Sequence, residues 1–459
     1  MAAAKKSGNA RPARRSKTVK KAATRATRKT VEKSKPRRSR KGVNALVPAS
    51  VPEAPSQHRA HDKAGVFTRL QWSVLAILAL VQFMHIVDFM VIMPLAKKFE
   101  ELFHITTNQF GWLVSSYTLA AFASGIAATF FIDRISRKAS LMTGFAGFIA
   151  GNLLCAAAPG FYTFLAARVV TGAFGGLLSG VTFSIIGDLI EPSKRGRATG
   201  VIMMAFSVAA VIGVPAGIWL ANGFFLQLPY YLIALGSVFI LVYSWLRMPQ
   251  LRDHLFGPRM NVVGQIKAVL SENKHQRLYL MMVFHFVAGF SIIPYIAGFM
   301  QKNNGVSDEQ LPLIYLSGGI ATIVSSPIVG WLSDKFGNVR IYSFVSLLAS
   351  IPFILVTYEW TKFFPLLLFS TVLFFIFVSG RMVPAMALLN NNVSPAHRGT
   401  FMSLNGSVQQ LSMSLGAIAA SFIIYAPPGQ PIQHYAWVGI FGIVFNIAAI
   451  WVANTFKSR

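Results

Sequence analysis

From Trp72 onward the chain is a succession of apolar runs separated by short polar turns. The runs lie at about 72–95, 111–132, 140–158, 160–187, 199–221, 226–246, 278–300, 311–332, 340–357, 363–389, 401–425 and 434–455. Each holds roughly twenty residues, enough for a helix to cross a bilayer at 1.5 Å per residue. Buried helices of soluble cores rarely run that far without a charge, so a set of soluble domains is excluded. The pattern predicts an all-α membrane protein with twelve transmembrane helices.

The turns test that count. Numbered from the N-terminus and assigned to alternate sides, one set contains Arg134, Arg137 and Lys138, then Lys194, Arg195 and Arg197, the segment 247–277, Lys335 and Arg340, Arg398, and Lys457 and Arg459. The other set has Lys97 and Lys98 balanced by Glu100 and Glu101, Pro159-Gly160, Asn222-Gly223, Lys302 with Asp308 and Glu309, Glu359 with Lys362, and an uncharged 426–433. The Lys/Arg excess is one-sided, and the positive-inside rule then puts both ends of the chain in the cytoplasm. Multi-pass insertion in the inner (plasma) membrane is expected.

The turns also repeat. TFFIDRISRK at 129–138 and GWLSDKFGNVR at 330–340 place Asp133 and Asp334 201 residues apart. EPSKRG at 191–196 and SPAHRG at 394–399 lie 203 residues apart. Two turns at nearly one offset indicate two pseudo-symmetric six-helix bundles. The expected organisation is a basic tail at 1–65, a first bundle at 66–246, a central loop at 247–277 and a second bundle at 278–459.

On these motifs the chain resembles transporters of the major facilitator superfamily. GWLSDKFGNVR follows that family's Gly-x-x-x-Asp-(Arg/Lys)-x-Gly-x-(Arg/Lys) loop, with its basic end displaced to Arg340. The first copy has Thr129 and Ser136 where glycines are usual. RVVTGAFGG at 168–176 resembles the fourth-helix motif, and GVPAG at 213–217 a loosened fifth-helix antiporter signature in which Val214 separates glycine from proline. QFMHIVDFMVIMPL at 82–95 and GRMVPAMALL at 380–389 are similar to the bacterial drug and sugar efflux branch akin to arabinose efflux permeases. The resemblance covers about 66–456. It implies alternating access, a cavity lined by spans 1, 4, 7 and 10, and a proton-coupled antiporter exporting small molecules. It also implies that the loop acids Asp133 and Asp334, with Arg134, Arg137, Gly330, Lys335, Gly337 and Arg340, latch neighbouring helices in the outward-open state and release during rocking.

Ionisable groups inside a bilayer cost about 2.5–3.5 kcal/mol each on insertion scales and mark functional sites. Here they are Asp88 and His85 in span 1, Arg168 in span 4, His285 in span 7 and Arg381 in span 10. Those spans open four three-helix units, which in inverted triplets would face one centre. Counting from the helix ends puts Asp88 about 9 Å and Arg168 about 12 Å from the outer face, close enough to pair. His285 and Arg381 fall about 10 and 13 Å from the inner face, a second candidate cluster. Gln82, His85 and Asp88 share one face at i, i+3, i+6. Span 11 adds Asn405, Gln409, Gln410 and Ser412.

Asp88 is the only carboxylate well inside an apolar run. A proton or the Arg168 guanidinium can neutralise it, and exchange between the two would couple proton movement to substrate; a permanent structural pair is the competing reading. His85 joins the proton-coupling candidates. Gln82, His285, Arg381, Asn405, Gln409 and Gln410 are the substrate-cavity candidates. Arg381 has no acidic neighbour in spans 7–12 and could meet an anion. Gly213 and Gly217, four apart, permit close helix contact, and Pro215 bends the helix. EPSKRG and SPAHRG read as ordinary turns without chemistry. Aromatic residues such as Trp112, Tyr117 and Phe290 read mostly as lipid-facing or packing material.

Composition narrows the remainder. Only 13% of residues are charged, against about 25% in soluble domains. The net charge of +28 is concentrated in residues 1–65, where 19 Lys/Arg face three acids. That tail reads as disordered and drawn to anionic lipid. It has no interleaved aromatics for base stacking, which argues against nucleic acid. Basic sequence fills about the first forty positions and no apolar run precedes Trp72, so the first run is expected to be a mature helix. The single Cys155 forms no internal disulfide and no thiolate metal cage. Neither a phosphate-cradling Gly-x-x-x-x-Gly-Lys-(Ser/Thr) loop nor His-Glu-x-x-His is present, so the expectation is not an enzyme, no metal and no cofactor, with a proton gradient as energy source. The partners expected are a small-molecule substrate, protons and the lipid bilayer, with the chain acting as a monomer. Proton-coupled uptake of a small, anionic metabolite by a symporter or uniporter stays open as an alternative. A non-transporting receptor or scaffold is disfavoured by the polar groups retained on spans 1, 4, 7 and 10.

Overall fold

Threonine starts two of the long helices. Thr68 and Thr106 each accept from the backbone N–H three residues on, and Gln71 and Gln109 return the bond to the cap. These reciprocal boxes satisfy donors that the helix itself leaves open. Elsewhere proline opens the first turn, at Pro229, Pro312 and Pro365, where its missing N–H costs nothing. The computed structural model describes residues 67–191, 194–252, 262–394, 397–427 and 430–456. The basic segment 1–65 and the side chain of Asp133 lie outside the described residues.

The first half comprises α1 (Arg69–Val91), α2 (Ala96–Phe103), α3 (Thr107–Phe131), α4 (Arg137–Ala157), α5 (Phe161–Leu189), α6 (Arg195–Val208), α7 (Val214–Gly223) and α8 (Leu228–Arg247). A linker helix, α9 (Val262–Ser271), follows. The second half comprises α10 (Asn273–Phe290), α11 (Ile296–Lys302), α12 (Leu311–Phe336), α13 (Asn338–Thr357), α14 (Phe364–Gly380), α15 (Met382–Asn392), α16 (Arg398–Ile423) and α17 (Tyr435–Asn454). With α6–α7 and α14–α15 each counted as one bent span, and the short α2 and α11 as extensions of α1 and α10, the described residues give twelve membrane helices in two pseudo-symmetric six-helix bundles. The face that carries α9 is called here the linker face, and the opposite one the distal face.

Ten of the twelve are long and apolar enough to cross a membrane on composition alone. The other two, α10 and α16, carry NKHQR at the start of one and Asn405, Gln409 and Gln410 along the other. The hydrophobic runs at 72–95 and 278–300 are each interrupted. Turns at 92–95 and 291–295 end α1 and α10 and set off the short helices α2 and α11. Pro94 and Pro294, 200 residues apart, sit in those turns, where each removes a helix donor.

Span 5 winds out into a π-helical turn, Ala209–Gly213, just before Pro215. A Cβ on Gly213 would lie 2.2 Å from Val87 Cγ2, and one on Gly217 would lie 2.4 Å from Val91 Cγ2. The two glycines therefore seat consecutive turns of α1. We expect Gly213→Leu to destabilise the protein by about 1–3 kcal/mol through overpacking. A lowered thermal unfolding midpoint in detergent checks this, and an unchanged midpoint would contradict it.

Each repeated turn supplies a helix cap. Arg195 donates to Gly187 O at 2.5 Å and Ile190 O at 2.9 Å. Arg398 donates to Asn390 O at 3.0 Å and Val393 O at 3.4 Å. The same offsets of eight and five residues recur, so both arginines satisfy the terminal carbonyls of the preceding span. The arginines of EPSKRG and SPAHRG are thus structural caps.

Candidate functional site

Three residues on one face of α1 lead inward. Gln82 is half-buried, His85 is 5% exposed and Asp88 is 0% exposed. Arg168, near the distal end of α5, is also 0% exposed, and its Nη1 donates to Asp88 Oδ1 at 3.0 Å. The pairing that depth counting allows is therefore made. Tyr117 of α3 closes the pair, its ring centroid 4.3 Å from the guanidinium carbon. The aromatic face stabilises a cation held this close. Tyr117, which sequence reasoning placed with packing material, thus belongs to the site. Its signal was a hydroxyl within an apolar run, at a position buried only by the fold.

The cluster is incompletely satisfied. Asp88 Oδ2, Arg168 Nε and Nη2, and both ring nitrogens of His85 have no protein hydrogen-bond partner among the described residues. Buried polar atoms left this way cost about 1–3 kcal/mol each. Such a site has chemical capacity beyond that of a closed structural pair. It can take a proton on the carboxylate, or offer donors to a substrate. His85 also fits closely, since a Cβ on Gly175 would lie 2.7 Å from its Nε2.

The second cluster lies inside the other bundle. Arg381 sits at the bend between α14 and α15 and is 1% exposed. Its Nη1 donates to Asn446 Oδ1 of α17 at 2.6 Å, and its Nη2 to the His285 carbonyl at 3.2 Å. The guanidinium carbon lies 5.4 Å from the Phe353 ring centre on α13. His285 Nδ1 faces the Tyr342 hydroxyl at 3.3 Å. Residues 285 and 381 do meet, but through a backbone carbonyl, while the two side chains find other partners. Arg381 is thereby seated among α10, α13 and α17 rather than toward the first bundle. Asn446 in turn donates to Ser346 O at 2.5 Å. Asn446 is an amide inside an otherwise apolar run, and that is the sequence signal that finds it.

Span 11 forms the seam with the first bundle. Ser414 Oγ of α16 donates to Ser115 O of α3 at 3.2 Å. A Cβ on Gly125 would lie 2.9 Å from Ser407 Oγ. Asn405 is buried, while Gln409 and Gln410 are half-buried. Asn405 Oδ1 and Gln410 Oε1 have no hydrogen-bond partner among the described residues. Phe89 and Phe290 stack across the same seam at 5.9 Å.

The loop residues divide. Arg137 is buried and its Nε donates to Asp188 Oδ2 of α5 at 2.6 Å, while its Nη1 donates to Ile132 O at 3.0 Å. Asp188, absent from the sequence reading, is therefore a partner of this arginine. Arg134, Asp334, Lys335 and Arg340 are exposed. Lys335 lies 4.9 Å from the Trp331 ring centre. Asp334 makes no ion pair among the described residues. Gly337 has φ +91°, a conformation open to glycine that turns α12 into α13. Gly330 is half-buried, and a Cβ on it would lie 3.7 Å from Val383 Cγ1.

Two six-helix halves, bent central spans and ionisable groups buried at membrane depth define a multi-pass transporter of small molecules. The sequence profile of the Major Facilitator Superfamily matches residues 78–290 and again 278–457. The chain belongs to that superfamily, and its members are not enzymes. It is 24% identical over 370 residues to the uncharacterized MFS-type transporter YceJ of Bacillus subtilis, covering 80% of this chain and 92% of that protein. Multidrug resistance protein 2 of Bacillus subtilis is 21% identical, with 78% and 90% covered. Among solved structures, a bacterial homolog of the human lysosomal transporter Spinster, inward-facing and occupied, superposes with a TM-score of 0.68 at 17% identity, covering 85% of this chain and 97% of that one. The D-xylose-proton symporter gives 0.69 at 15% identity, with 84% and 97% covered.

Proposed function

We propose that this protein is a proton-coupled antiporter that exports small molecules by alternating access. The observation that carries the reading is the Asp88–Arg168 pair, fully buried yet with unmet donors and an unmet acceptor. Proton binding at Asp88 frees Arg168 from its counter-ion, and substrate movement follows the change in charge. His85 and Gln82, one and two turns nearer the linker face, provide polar stepping points toward that side. The one-sided basic turns support a cytoplasmic linker face and an inner-membrane location, with the proton gradient as energy source. The relative named Multidrug resistance protein 2 supports export over uptake. The exposed Asp334 fits a linker-face latch in its released state.

The test is flux in proteoliposomes with an imposed pH gradient of either sign, after a thermal-shift screen for ligands. Substrate is expected to move against the proton gradient's direction. Movement together with protons, or indifference to the gradient, would overturn antiport.

One observation favours a second reading. Arg381 is buried without a carboxylate in spans 7–12, so an anionic substrate taken up by symport or uniport would gain a counter-charge there. On that reading Arg381→Gln raises KM for the anion by about tenfold or more, the scale of one charged hydrogen bond at about 1.5–3 kcal/mol. An unaltered KM removes it.

A further inference from the structure

The two short helices set off by the proline turns carry opposite charges toward one another. Glu100 on α2 is 6% exposed. Lys302 ends α11, and its side chain is 9% exposed. Lys302 Nζ donates to Glu100 Oε2 and lies 3.4 Å from Thr107 Oγ1 at the start of α3. Beside it the charges are exchanged between halves: Lys98 Nζ of the first bundle lies 3.3 Å from Asp308 Oδ2 of the second. Asp308 also accepts from Gln301 Nε2 at 2.7 Å through Oδ1, and its carbonyl accepts from Asn222 Nδ2 at 2.8 Å. Asn108 of α3 completes the set by donating to Ser421 O of α16 at 2.6 Å.

Apart from the Gln301–Asp308 bond, which lies within the second half, these contacts join one bundle to the other at the distal face. Between pairs of described residues, no ion pair joins the bundles at the linker-face ends of the spans. We propose that Glu100 and Lys302, seconded by Lys98 and Asp308, form a charge-paired lock that holds the distal face shut and must part when that face opens. The turns at 92–95 and 291–295 make α2 and α11 separate levers, so that the lock is carried on elements distinct from α1 and α10. Its partners come from opposite halves, so the two residues lose one another once the halves separate.

Energetics suit a lock that opens in each cycle. Burial raises the Glu100 carboxyl above its ordinary value while the Lys302 charge pulls the other way. Desolvation thus offsets a large part of the attraction, as in buried pairs generally. Water entering on opening hydrates both charges and repays what was lost. Removing one partner, by contrast, leaves the other charge buried without compensation in the shut form only, which shifts the balance toward opening.

The labelling arm reads the gate without requiring flux, so its failure is distinguishable from failure of the proton-coupled reading. In a Cys155→Ser background, Ser115→Cys reports the seam beneath the lock, because Ser115 is 3% exposed there. A membrane-impermeant maleimide is added from the distal side of oriented vesicles. Glu100→Gln and Lys302→Gln are each expected to raise the labelling rate about tenfold, equivalent to about 1.4 kcal/mol of population shift. The exchanged double variant E100K/K302E is expected to return labelling to within about twofold of the parent. Unchanged labelling in both single variants, or a double variant that labels as fast as the singles, would overturn the lock. As a readout independent of variant folding, E100C/K302C in the same background is expected to cross-link with a short bis-maleimide and stop transport. Efficient cross-linking with transport intact would overturn it equally.

Discussion

Asp88→Asn is expected to reduce proton-driven flux to the level of protein-free liposomes, a loss of about 100-fold or more on the scale of a removed acid–base group. Asparagine keeps the Oδ1 acceptor that meets Arg168 Nη1 at 3.0 Å and nearly the same volume, so the variant is expected to fold and elute as the parent does. It cannot take up or release a proton. The measurement is flux in proteoliposomes under an imposed pH gradient, with detergent gel filtration as the folding control. Parent-like proton-driven flux would leave the pair a purely structural role.

Arg168→Met is expected to cost about 3–5 kcal/mol of stability, because it strands a carboxylate at a site with no solvent access. It also takes away the cation stacked on Tyr117. Adding Asp88→Asn to it removes the stranded charge and is expected to recover about 2 kcal/mol, a coupling within the range for residues in direct contact. A double-mutant cycle of thermal or denaturant unfolding in detergent reads this number. Strict additivity would show that the two residues do not support one another energetically.

Much of the architecture was legible because the bilayer imposes a length. Twenty apolar residues and one-sided basic turns specify the number of spans and their alternation. The offset of about 201–203 residues between Asp133 and Asp334, and between the two arginine turns, specifies the repeat. The interruptions were not legible, since Ile92–Leu95 and Ser291–Tyr295 are as apolar as the helices they break. Only Pro94 and Pro294 hinted at them. Depth counting brought Asp88 near Arg168 because it needs only the distance of each from the distal turns, six residues before Pro94 and eight after Gly160. It could not say which way Arg381 turns, because span 10 bends at that residue and rotates the side chain among its own bundle's helices. Tyr117 and Asn446 share their chemistry with other aromatic and amide residues of the spans; their importance comes from the cations they touch.

Lys98, Glu100, Lys302 and Asp308 looked like balanced loop charges in the linear chain. Folding brings acid and base together from positions about 200 apart, and the apparent local neutrality is a long-range one.

The Asp88–Arg168 pair belongs wholly to one bundle. A rigid swing of one half against the other preserves every distance within each half, so it neither makes nor breaks this bond. A titration event there must therefore reach the rest of the molecule by reshaping its own half. The nearest route runs through Val87, the next residue on α1, whose methyl group nests against Gly213 in the unwound turn of span 5. Charge at one residue and curvature of a neighbouring helix are thus mechanically adjacent.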